Sequence, residues 1–171
     1  MSSYAETLVE RFRPNGLLVD TNLLLLYAIG RYHEAILERR SFGRVDAYTK
    51  EDFELLGRLM SIFGKLVTTP HVLTEVSNFV GQLPQQQKQE CLQKFSQAFA
   101  NFIELAFDSI ELSTEDHFTY LGLTDTALAR VANEYLILTD DARLIGHMAN
   151  LGLDALNFNH IRQMLWLQEQ N

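Results

Sequence analysis

Four short apolar runs, LLVD at 17–20, LVTTP at 66–70, YLILT at 135–139 and LDALNF at 153–158, recur along the chain with segments of helical period between them. A strand that is apolar at successive positions has both faces buried, and only helices packed on both sides of a sheet can bury it so. The alternation therefore predicts an α/β fold with a central parallel sheet. The intervening patterns predict the helices. Residues 23–30 are almost wholly apolar, RYHEAILERR begins a more polar stretch, and SFGRVDAYTK reads as a connection. Phe53, Leu56, Leu59, Met60 and Phe63 form a helical stripe that Gly64 is expected to stop in a left-handed C-cap. Pro70 suits the first position of the next helix. Cys91, Leu92, Phe95, Ala98, Phe99, Phe102 and Leu105 lie on one stripe, which predicts a single long helix over 84–107. SIELS (109–113) reads as a strand or extended connection and TEDHFTYLGL as a short helix. A helix with Thr124 near its N-cap, one closed by Gly152, and a last one from Asn159 complete the chain.

With 171 residues, 47% of them hydrophobic, one core is expected and a second domain is not. The reading is one domain over 1–171, with a polar helical insertion around 31–65 and the long helix around 84–107. Fourteen basic against 22 acidic residues give a net charge of -8, so no general attraction to nucleic acid exists and any such role must be local. Cys91 stands alone and reads as a small apolar residue on a helix. No segment has the length and apolarity of a signal peptide or membrane span, so the expectation is a cytoplasmic protein with no membrane partner.

Against this apolar background Asp20 is conspicuous. A carboxylate placed between Val19 and Leu23–Leu26 must be compensated, either as the cap of the helix that follows or as a ligand delivered by a strand end. Comparable acids recur: Glu75 lies one turn after the second strand, Asp125 at the start of a helix, and Asp140 with Asp141 after YLILT. In a parallel sheet all strand carboxyl ends share one edge, so these acids could converge there. Such a cluster repels itself unless it holds a cation, and oxygen donors favour Mg²⁺ or Mn²⁺. Singly, Asp20 reads as a helix cap, Glu75 as a surface acid, and Asp125, Asp140 and Asp141 as first-turn acids favoured by the helix dipole; the combination is the signal.

LLVDTNLLL (17–25), TTPHVLTEVSNF (68–79), LTDTALARVA (123–132) and YLILTDDARL (135–144) together resemble the PIN-domain family, metal-dependent ribonucleases that include VapC-type toxins. The resemblance implies a three-layer α/β/α sandwich with a central parallel sheet. It implies that Asp20, Glu75, Asp125 and Asp141 are catalytic and bind the metal, with Asp140 as a further ligand and Asn22 and Thr139 in support. The activity implied is Mg²⁺- or Mn²⁺-dependent hydrolysis of RNA by the toxin of a type II toxin–antitoxin pair, held by an antitoxin protein and able to form a homodimer. A non-catalytic PIN-like interaction module is the alternative. A phosphoryl-accepting receiver domain would need adjacent acids after its first strand and a lysine after a late one, where this chain has DTN and TDDAR. Fifty-five positions separate Asp20 from Glu75 and fifty separate Glu75 from Asp125, longer than a compact toxin needs, so the extra segments are candidates for a partner-binding or substrate-selecting surface.

The five histidines show no metal spacing, although His71 lies close enough to Glu75 to touch a substrate. Phe95, Phe99 and Phe102 read as core rather than a base-stacking platform. Arg130 and Arg143 could meet phosphate but need no such explanation; the cluster Arg39, Arg40 and Arg44 is a weaker candidate for an RNA contact and reads rather as a solvated helix end.

Overall fold

The computed structural model describes residues 3–39 and 42–169. Its elements run α1 (Ser3–Phe12), β1 (Leu17–Val19), α2 (Thr21–His33), α3 (Ala35–Arg39), α4 (Lys50–Ile62), β2 (Leu66–Thr68), α5 (Pro70–Val80), α6 (Gln85–Phe99), β3 (Ile103–Glu104), α7 (Ser109–Leu112), α8 (Phe118–Leu121), α9 (Leu123–Val131), β4 (Leu136–Thr139), α10 (Ala142–Asn150), β5 (Ala155–Asn157) and α11 (Phe158–Glu169). The strands form one all-parallel sheet in the order β3-β2-β1-β4-β5. Leu17 faces Leu66 on one side and Leu136 on the other, and Val19 faces Leu138. Every residue of β1 and β4 is buried, so helices cover both faces of the sheet, as in a three-layer α/β/α sandwich.

The strand order reverses direction between β1 and β4. From β1 the chain moves outward through β2 to β3, then returns past β1 to β4 and out to β5. Loops leaving the carboxyl ends of β1 and β4 therefore diverge to opposite sides and leave a crevice at that edge, where sheets of this kind place their ligands.

Helix α2 is the hub. Leu23 to Leu26, Ala28, Ile29 and Gly30 are all buried, and α2 packs against α3, α4, α5 and α6. A helix apolar on nearly all sides needs such a surround. The stretch around 31–65 is no purely polar insertion: Leu37, Phe42, Val45, Tyr48, Leu56, Leu59 and Phe63 join the main core. At Gly30 a Cβ would overlap the Phe53 ring, 2.6 Å from its Cγ. Gly30→Ala is expected to lower stability by roughly 1–2 kcal/mol, because the overlap outweighs the gain of about 1 kcal/mol in helix propensity. A denaturant midpoint equal to or above wild type would show that the α2–α4 contact yields.

Three local expectations are corrected. The long helix over 84–107 ends at Phe99, and Ile103–Glu104 instead form the edge strand β3 beside β2. SIELS is helical rather than extended: Asp108 caps α7 by accepting from Ile110 and Glu111 N–H, and Leu112 is buried. Gly64 is not left-handed; α4 ends at Phe63 in extended backbone. Gly152 does close α10, with φ 69°. Cys91 is fully buried and its thiol is pushed up to about 11 by burial, as a small core residue requires. Phe95 is likewise buried, with Phe99 and Phe102 packed edge-on at 4.0 and 4.6 Å between successive ring centroids.

Candidate functional site

Asp20 stands at the end of a strand and caps the helix that follows. It leaves β1 with its N–H donating to the Leu138 carbonyl at 3.0 Å, then caps α2 by accepting the Leu23 N–H on Oδ1 at 3.0 Å. Its other oxygen accepts from the Thr139 hydroxyl at the end of β4. Asp20 is only 5% exposed. Burial pushes its carboxyl up to about 7 against the pull of these hydrogen bonds, and the neighbouring Asp140 charge adds to the rise.

Thr139 is fully buried and works in two directions: it donates to Asp20, and its oxygen accepts the Asp141 N–H at 3.0 Å. One hydroxyl thus fixes the first acid and the turn that carries the last. Asp141 itself caps α10, accepting from Arg143 N–H at 2.7 Å and Leu144 N–H at 3.2 Å.

Glu75, on α5, has one oxygen on each of two threonines. Thr21 donates to Oε2 and Thr124 to Oε1, both at 2.7 Å. Thr21 opens α2 and Thr124 lies in the first turn of α9, so a single carboxylate ties three helices at the sheet edge. The local pattern gives no sign of this clamp, because both donors are remote in sequence. Gly122 starts α9 with φ 78°, a conformation costly for any side chain, and thereby turns Thr124 and Asp125 toward α5.

Asp125 completes the set. Its carboxyl is pushed up to about 6, first by burial, then by Asp141 and Glu75, against the opposing Arg143 charge. The Arg143 guanidinium lies 3.3 Å from Asp125 and 3.9 Å from Asp141 and donates to the Tyr120 carbonyl at 3.3 Å. Asp20, Glu75, Asp125 and Asp141 all line one cavity of about 440 Å³, together with Asn22, Thr21, Thr124, Arg143 and Arg44.

Asp140 is not in that lining. Its carboxylate accepts from the buried Tyr48 hydroxyl, and its backbone carbonyl accepts from Asn159 at 3.1 Å. Adjacent residues leaving a strand point apart, so of Asp140 and Asp141 only the second reaches the cavity. His71 also stands outside the lining, with Nε2 on the Ser109 hydroxyl at 3.0 Å. Arg130 is engaged by Glu115 at 2.6 Å and Glu111 at 2.8 Å, away from the acids. Arg44, by contrast, is no solvated helix end but a wall of the cavity; Arg40 and the Arg39 side chain lie outside the described residues.

Oxygen-only donors with excess negative charge have the chemistry for a hard divalent cation. Their spacing is wider than a chelate: among the described residues no three His, Cys, Asp or Glu side chains are grouped closely enough to hold an ion. Arg143 occupies the space between two of the acids. Compared with known protein families and with curated proteins, the chain matches none. No helix among the described residues is long and apolar enough to cross a membrane.

Proposed function

We propose that this chain is a PIN-like, divalent-cation-dependent endoribonuclease. The observation that carries the reading is that Asp20, Glu75, Asp125 and Asp141, drawn from segments far apart in sequence, line one cavity at the carboxyl edge of the sheet beside its switch in strand direction. Those four carboxylates, which as they stand form no group able to hold an ion, would close on Mg²⁺ or Mn²⁺ as Arg143 leaves Asp125 and Asp141. When bound, such an ion supplies Lewis acidity toward a phosphodiester and lowers the pKa of water. Thr139 holds Asp20 in place, and Thr21 with Thr124 fix both oxygens of Glu75, so two of the four acids are already oriented by neighbours that are not themselves charged. Arg143, half exposed at the rim, neutralises Asp125 and Asp141 while no cation is bound.

Within this proposal the protein is the cytoplasmic toxin of a toxin–antitoxin pair, with an antitoxin as partner and a homodimer as its assembly, a reading supported by the sequence resemblance alone. The spacing of the acids favours a second reading, a PIN-like interaction module without catalysis. One experiment separates the two. Purified wild type is expected to cut a structured RNA pool with Mg²⁺ or Mn²⁺ and not with chelator, and Asp20→Asn to lose at least about 100-fold in rate. Asn caps helices as well as Asp, so the variant should keep its circular dichroism spectrum. Equal traces for both proteins would remove the nuclease and leave the module.

A further inference from the structure

We propose that Arg44 is the side chain that grips the phosphodiester backbone of an RNA strand entering the acidic cavity, an inference that rests on the nuclease reading above. A protein of net charge -8 repels a polyanion, so whatever holds RNA against these acids must be a local cation. Among the described residues two cations line the cavity, Arg44 and Arg143. Arg143 is committed to Asp125, Asp141 and the Tyr120 carbonyl. Arg44 is exposed and forms no ion pair or hydrogen bond among the described residues, although 22 acids are available in the chain.

Its guanidinium carbon lies over the face of Phe79, 4.1 Å from the ring centroid. Phe79 belongs to α5, one turn beyond Glu75, and lines the same cavity. Stacking occupies the face of a guanidinium and leaves the donor edge free, the arrangement that receives a phosphate bidentately. The backbone beneath is anchored: Phe42, Val45 and Tyr48 are buried on either side of Arg44, and the Phe42 N–H donates to Asp46 at 3.1 Å. The donor edge is therefore held in place before any strand arrives. Arg44 is a substrate-binding residue carried by the segment that lengthens the chain between Asp20 and Glu75.

The test is fluorescence anisotropy of a labelled single-stranded RNA 12-mer against the full chain in Ca²⁺, over a series of salt concentrations, beside Mn²⁺ binding followed by electron paramagnetic resonance. Arg44→Gln is expected to weaken RNA binding about 10-fold and to reduce the slope of log K against log salt by about 0.7, the value for one phosphate on a single strand. Arg44→Lys should keep the slope and lose part of the affinity, and Phe79→Leu should lose part of the affinity through Arg44. Mn²⁺ binding should be unchanged in all three. Wild-type affinity and slope in Arg44→Gln, with RNA bound normally by wild type, would overturn this inference alone; so would loss of Mn²⁺ binding in the same variant. Absence of RNA binding by wild type itself would overturn the nuclease reading and this inference with it.

Discussion

In chelator the protein is expected to melt roughly 10 °C lower at pH 8 than at pH 5, and Asp20→Asn to remove more than half of that difference. Asp20 has a folded-state value raised from 3.8 to about 7. A group whose folded pKa is raised contributes stability that is complete below its unfolded value, near 4, and is lost as pH rises through about 7. Between pH 5 and pH 8 that loss is about 3 kcal/mol for Asp20. Asp125, raised to about 6, adds about 1 kcal/mol in the same direction and completes its loss at a lower pH. At 2–4 °C for each kcal/mol in a chain of this size, the sum is a shift of roughly 10 °C. On the nuclease reading Mg²⁺ should act oppositely, because it would bind the carboxylates only when they are ionised. Its stabilisation should be large at pH 8 and small at pH 5, where protons compete. Thermal melts of both proteins at four pH values, with chelator and with Mg²⁺, measure all of this. A wild-type midpoint that stays flat with pH in chelator would mean that Asp20 charges at no cost in the folded protein, and that its burial does not have the effect assigned to it.

The strand ends were readable in sequence because Asp20 directly follows an uninterrupted apolar run and the Asp140–Asp141 pair follows another after a single threonine. Four residues such as YLIL allow few placements besides a central strand, and the residue after such a strand lands on the ligand-binding edge. What could not be read is everything that depends on a remote partner. The stripe through Phe95, Phe99, Phe102 and Leu105 continues at helical spacing past the point where α6 ends, and the pairing of Val67 with Ile103 that takes over is non-local. Nothing in a two-residue strand announces it. Asp108 differs, since an Asp followed by Glu111 at the third helical position is a start signal, and α7 could have been found from it. The threonine clamp on Glu75 and the stacking of Arg44 on Phe79 join residues 49 to 54 and 35 positions apart. Local pattern marks Thr21, Thr124 and Arg44 as ordinary helix-end or loop residues. Tertiary structure alone gives them work.

The same is true of the network that supports the edge from behind, where Arg162→Leu is expected to cost about 3 kcal/mol and to lower the melting temperature by about 6–12 °C. Arg162, on α11, meets Asp52 at 2.7 Å, and the Asp52 side chain is 7% exposed. It also donates to Asn159 at 3.2 Å and to the Ala47 carbonyl at 3.3 Å, and lies over the Tyr48 ring. Asp52 is the reciprocal partner of Thr49 in the capping box that starts α4, accepting the Thr49 N–H at 2.8 Å. Removing the arginine leaves a buried carboxylate with that one backbone donor, and an uncompensated buried charge is what makes breaking such a pair expensive. The double variant Asp52→Asn with Arg162→Leu should recover a substantial part of the loss, since Asn keeps the cap and carries no charge. Equilibrium urea unfolding of the two single variants and the double supplies the coupling energy; strict additivity would mean that the pair contributes no more than two independent side chains. The consequence reaches the cavity, because Tyr48 donates to Asp140 and Asn159 holds the Asp140 carbonyl. Asp140, displaced from the acidic set, thereby ties α11 and the 42–49 connection to the end of β4. On the other side of the same connection stands Arg44. If Arg44 grips RNA as proposed, loosening the Arg162 network should weaken that binding in the folded protein as well as stability, by freeing the backbone on which Arg44 is held.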